Sequence, residues 1–163
     1  MRKMCNIIVA ILFSFIAMSV NAQTAFFADK GQNVSVQTEG RRMIVPDRFR
    51  TSELNVAALK SFLWALPSEE NVISNRSTAQ VIALPMPDGT MARFKIWESS
   101  IQEPALQARF SEIRTFRGQG IDDPYATIRC DFNPFFGFSA QILSPSGRIY
   151  IDPYAKRDTK NYI

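Results

Sequence analysis

The sequence predicts an α+β domain, an antiparallel β-sheet of hairpins and meander with one main helix packed on it, behind an export signal. Three observations carry that reading. Apolar residues alternate with a period of two through most of residues 77–154, with turn residues between the runs. Only residues 52–67 keep a long helical period. The first 22 residues have the layout of a secretory signal.

In that signal, Arg2 and Lys3 precede an apolar run from Ile7 to Met18, and Val20, Asn21 and Ala22 end it with the small residues a signal peptidase selects. The run is too short to span a bilayer comfortably. Cleavage is therefore expected between Ala22 and Gln23, giving an exported product, periplasmic or extracellular, with no stable membrane anchor. Loss of Arg2 and Lys3 lowers Lys+Arg from 19 to 17 against 15 Asp+Glu, so net charge falls from +4 to +2. So small a charge implies no nucleic-acid partner. The arginines are scattered and read as solvated faces, Arg41 and Arg42 as an exposed pair. Cys5 leaves with the signal, so Cys130 is alone and no internal disulfide can form. The hydrophobic core must hold the fold unaided, and a domain of this size buries roughly two-thirds of its unfolded-chain surface.

Residues 23–40 are polar apart from Phe26, Phe27, Val34 and Val36, and read as a flexible lead-in with one edge strand. The domain proper is placed at 41–163. "RRMIVPDRF" suggests a short strand, confined to an edge by Pro46. The main helix follows in "SELNVAALKSFLWALP": Ser52 is the expected N-cap, and Glu53 suits the first turn. Val56, Leu59, Leu63 and Leu66 make its apolar face, and Pro67 stops it.

"TAQVIALPMPDGTMARFKIWES" reads as a hairpin turning at Pro87-Asp88-Gly89-Thr90, where proline presets the second position and glycine allows positive φ. "EPALQARF" suggests a short helix with Pro104 in its first turn. "EIRTFRG", "YATIRCDF", "GFSAQILS" and "RIYIDPY" are four closely spaced strands joined by turn residues, hence a meander.

The loop "GQGIDDP" holds the densest group of candidate residues: Gly118, Gln119, Gly120, Ile121, Asp122 and Asp123. Its glycines can adopt positive φ or let backbone approach closely. Ile121 can pin it to the core, and Asp123 before Pro124 starts a turn. A structural connection accounts for every residue type. Gly118-x-Gly120 is too short for a phosphate-binding fingerprint, and adjacent aspartates do not match the alternate ligand spacing of a calcium loop. Cys130, beside Ile128 and Phe132, fits a small packed hydrophobe. The sharper alternative is a thiolate that ligates a partner's metal, its pKa lowered by Arg129.

The run "IALPMPDG…FKIWESS…PALQARFSEIRTFRGQGIDDPYATIRCDFNPFFGFSAQILSPSGRIYIDPY" resembles the N-terminal pro-region of secreted bacterial reprolysin-like (adamalysin-type) zinc metallopeptidases. The resemblance covers residues 81–154, with the helix at 54–66 also in place. It rests on "LPMPDG", "GQGIDDP.ATIR", "GF.A.ILSP.G" and "YIDPY" in that order. Ser100, Cys130 and Ser139 depart from the residues usual there: proline, phenylalanine or similar, and histidine. The chain stops at "DTKNYI", where the family pattern continues through another strand and a linker.

The resemblance implies a non-catalytic prosegment, a folding assistant and inhibitor of a catalytic domain joined in cis or met in trans. That catalytic domain would carry H-E-x-x-H-x-x-G-x-x-H and the zinc. This chain has no histidine, so it cannot build that centre. No catalytic, cofactor or metal residue is assigned to it. Residues 118–123 become a candidate protease-contact loop, with Asp122 or Asp123 facing a cationic cleft. The alternative is a free-standing exported binding module that keeps the propeptide fold without an enzyme. N-terminal sequencing of the exported protein is expected to start at Gln23; a product retaining the apolar run would instead be anchored.

Overall fold

The computed structural model describes residues 25–163, so the cleavage site at Ala22 and Gln23 lies outside the described residues. The described chain is mostly antiparallel β-sheet with a few short helices, arranged as a six-stranded and a three-stranded sheet.

The larger sheet runs in strict sequence order: β3 (Gln80–Pro85), β4 (Met91–Glu98), β5 (Arg114–Gly120), β6 (Thr127–Asn133), β7 (Gly137–Ser144) and β8 (Gly147–Ile151). Each strand pairs antiparallel with the next, the meander that the turn spacing predicts. Gly89, at φ +90°, closes the β3–β4 turn, and Asp88 fixes it by accepting from the Thr90 N–H at 2.9 Å. Strand alternation sorts the side chains. Ile82, Leu84, Phe94, Ile96, Phe116, Ile128, Phe138 and Ile142 are buried on the inner face, while Arg93, Lys95, Arg117 and Arg129 stand on the other.

The smaller sheet has the order β1 (Phe27–Gln32), β2 (Arg50–Leu54), β9 (Asn161–Tyr162). It corrects three expectations. The edge strand expected within 23–40 forms as β1, but it is no loose lead-in, because Phe26 and Phe27 are buried in the common core. No strand forms over 41–49; the strand begins at Arg50. Ser52 therefore lies buried in β2 and caps nothing. Helix α1 (Val56–Trp64) starts after Asn55, whose side chain accepts from the Ala58 N–H at 3.1 Å. Pairing with Tyr162, which no local pattern reveals, converts the expected first turn into strand.

Helix α1 lays Leu59 and Leu63 into the core and sets Trp64 edge-on to Phe132, with ring centroids 5.4 Å apart. Two short helices follow. α2 (Glu69–Ser74), not foreseen, is tied to the large sheet by Glu69, which accepts from the Ser99 hydroxyl at 2.6 Å and pairs with Arg117 at 2.8 Å. α3 (Pro104–Arg109) has its proline in the first turn as predicted.

Tyr162 joins the two sheets. Its backbone pairs with Ser52, its ring is 1% exposed against Phe27, and its hydroxyl accepts the Phe138 N–H at 3.2 Å. Gly137, at φ +85°, leaves room for that hydroxyl, since a Cβ there would lie 2.8 Å from it. Burial pushes the Tyr162 phenol up to about 12, so it stays a neutral partner through the physiological range. Replacing Tyr162 by phenylalanine strands the Phe138 N–H and is expected to cost about 1–3 kcal/mol in urea denaturation.

Candidate functional site

The residues of the glycine–aspartate loop divide between a strand and a tight turn. Gly118, Gln119 and Gly120 belong to β5, and neither glycine has positive φ. Their role is close approach: a Cβ on Gly118 would run into the Lys95 carbonyl, and one on Gly120 into the Asp123 carbonyl. The positive-φ expectation for this pair is thereby corrected. Ile121 is half-buried and donates its N–H to the Arg93 carbonyl at 2.8 Å.

Asp122 accepts from the Arg93 backbone N–H at 2.7 Å and meets the same residue's guanidinium, with Nη2 to Oδ1 at 2.6 Å. Those hydrogen bonds hold its carboxyl below the usual aspartate range. Asp123 accepts from the Tyr125 N–H at 2.9 Å in an Asx turn. The Gln119 amide donates to the carbonyls of Pro124 and Ala126. The loop's polar groups thus close on the loop itself and on β4. What it leaves outermost is Tyr125, 81% exposed.

Cys130 is a buried free thiol on the inner face of β6, 5% exposed. Burial, and secondarily the Asp131 charge, pushes its pKa well above the ordinary thiol range. The expected lowering by Arg129 fails because the two side chains lie on opposite faces of the strand. The thiol packs as a small hydrophobe.

The outer face holds a feature the sequence reading passed over. Asp131 lies opposite Ser139 on β7, and with Asp152 it lines a shallow groove of about 240 Å³ that also includes Thr115, Arg129 and Tyr150. Desolvation raises both carboxyls, Asp131 further through the charge of Asp152, while a bond from Ser139 partly offsets the shift at Asp152. Among the described residues, no group of three or more Asp, Glu, Cys or His is placed to hold a metal ion.

A second, larger feature is a cleft of about 460 Å³ between the sheets. Phe49, Arg50 and Ser52 line one wall, Arg148 through Asp152 the other, and Pro85, Met86 and Pro87 close one end. Residues near both edges of the six-stranded sheet thus meet at one cleft, so the sheet is strongly curled. Tyr162 and Ile163 also line it. Ile44, outside any element, also lines it and is 47% exposed, and its chain neighbours Met43 and Val45 are 61% and 72% exposed. Beside the rim, Arg42 is not the solvated residue expected but stacks between Phe49 and Tyr154, 4.9 and 4.4 Å from their ring centroids. The apolar triplet "MIV" was the available sequence signal for this surface, and its reading as a strand concealed it.

Compared with protein-family models, curated proteins and solved structures, the chain matches none of them.

The two raised carboxyls set a pH dependence. A carboxyl whose folded pKa lies above its unfolded value of about 3.9 binds protons more tightly in the native state, so its favourable contribution is complete below that value and is lost as pH rises through the folded pKa. Asp131→Asn is expected to raise the neutral-pH melting temperature and to flatten the decline in stability just above pH 4, as read from melts across pH.

Proposed function

We propose that this chain is a non-catalytic, exported binding module of the prosegment type, directed at the catalytic domain of a zinc metallopeptidase. It assists that domain's folding and holds it inactive until cleaved. The observation that carries a binding role is the apolar cleft with Met43, Ile44 and Val45 exposed beside it. Leaving such side chains in water forgoes about 25 cal/mol for each Å² that a partner could cover. A contiguous exposed apolar surface on a domain with an otherwise filled core marks a contact site. The identity of the partner rests on the sequence resemblance alone.

In this reading, contact is made beside the cleft rather than by the aspartates of the glycine loop, since Asp122 is paired with Arg93 and Asp123 accepts from its own turn. If the loop between β5 and β6 takes part, it does so through Tyr125. Cys130, sealed in the core, contributes no ligand to a partner's metal. Zinc belongs to the partner.

The exported chain is expected to inhibit a mature reprolysin-like catalytic domain with slow onset. Changing Met43, Ile44 and Val45 together to serine should weaken that inhibition at least about tenfold, since each buried apolar side chain lost is worth about 1.5–3 kcal/mol. Absence of both binding and inhibition would sink the proposal. Binding without inhibition would favour the free-standing module, which uses the same surface.

A further inference from the structure

We propose that the outer face of the six-stranded sheet binds a linear acidic polysaccharide, laid across strands β4 to β8 with its carboxylates or sulfates on a row of unpaired cations. This surface is distinct from the apolar one at residues 43–45. The inference therefore stands whether or not the chain meets a peptidase.

Strand register places the residues. Pairing aligns Lys95, Gln119, Thr127, Leu143 and Arg148 in one row across β4 to β8. The next row is Trp97, Arg117, Arg129, Gln141 and Tyr150. Alternation turns both rows to the outer face, where all but Trp97 and Gln141 are exposed. Every charged residue in the two rows is a cation. Arg117 is matched by Glu69 at 2.8 Å, but Lys95, Arg129 and Arg148 enter no ion pair among the described residues.

One pairing works against the fold. Arg117 and Arg129 stand directly opposite each other on β5 and β6, and like charges so placed destabilise a sheet. Glu69 answers only the Arg117 side. Asp131, on the same face of β6 as Arg129, makes no ion pair with it among the described residues. Stability alone gains nothing from a second arginine there, whereas an anion laid over the pair relieves the repulsion.

Spacing chooses the polymer. Neighbouring strands lie about 4.8 Å apart and same-face residues about 6.8 Å apart along a strand, so Lys95, Arg129 and Arg148 step across the sheet about 12 Å at a time. A nucleic-acid strand carries a charge about every 3.4 Å, and most of its phosphates would go unmatched here. A polysaccharide with one acidic sugar in every two meets the observed step. The groups between the cations suit sugar rings. Tyr150 is 53% exposed, with its hydroxyl held by the Gln141 amide at 3.1 Å, and Leu143 lies in the neighbouring row at 41% exposure. Thr127 adds a hydroxyl beside them. The third row sets the limit: Thr115, Asp131 and Ser139 align there, with Asp152 lining the same groove. Those two carboxylates repel an anionic chain and confine it to the cationic rows.

The test uses the full exported chain, labelled with ¹⁵N and titrated at low salt with a hyaluronan hexasaccharide, which bears a carboxylate on every second sugar. The amides of Thr127, Arg129, Gln141, Leu143 and Arg148 should shift, while those of Phe49 and Ser52 across the cleft stay in place. Lys95→Gln and Arg129→Gln should each weaken binding about fivefold. Both side chains are exposed, so neither variant disturbs the core. Arg129→Gln should also leave the melting temperature no lower, as it removes a repulsive pair. Unchanged binding by these variants would overturn the proposal, as would equal binding of a neutral oligosaccharide of the same length. Tighter binding of a thymidine oligonucleotide of equal charge would overturn it too, because the occupant would then be nucleic acid. Changing Met43, Ile44 and Val45 to serine should leave hexasaccharide binding unaltered, so failure of the inhibitory role and failure of this one are told apart.

Discussion

The fold depends on one buried phenol. Tyr162 supplies its backbone and ring to the small sheet and its hydroxyl to the large one, so one residue bonds to both. The cleft inherits that constraint. With Tyr162 seated, β2 and β8 stand as its two walls. Gly137 is the counterpart, because only a residue without a Cβ leaves room for the hydroxyl at that turn. Backbone bonds between Asp152 and Ile163 and from Tyr154 to Asn161 join the same two sheets, and these are directional where apolar area is not.

The six-stranded sheet separates its chemistry by face. Alternation puts Cys130 in the core and Asp131 and Arg129 outside, so adjacent residues experience opposite environments. The thiol is driven toward the neutral form by burial, and desolvation raises the groove carboxyls as well. Charges elsewhere are used as fasteners: Asp122 ties the β5–β6 loop to Arg93, and Glu69 ties α2 to Ser99 and Arg117. Such exposed pairs contribute modestly to stability, yet they fix which side of a loop faces outward. In the β5–β6 loop the pair turns Asp122 to β4, while Asp123 closes its own turn and Tyr125 is left as the outward group.

Much of the architecture was legible in the sequence because its determinants are local. The β3–β4 hairpin, the turn at Gly89, α3 and the four-strand meander each follow from period-two alternation and turn chemistry within a dozen residues. Alternation divides each strand's residues between two faces, and the structure shows which of the two is buried. What it could not tell is set by partners far along the chain. Ser52 looked like a helix cap until Tyr162 drew it into a strand; Phe26 and Phe27 looked peripheral until the core of the large sheet received them. Gly118 and Gly120 were recognised as special, but whether for φ or for close approach depends on Lys95 and Asp123 lying against them. The cleft was least legible of all, since residues near 49, 86 and 150 meet only when the sheet curls and the small sheet docks. Composition and local pattern thus determined most of the secondary structure; long-range backbone pairing, which leaves no periodic trace in either strand alone, decided where the cleft between the sheets lies.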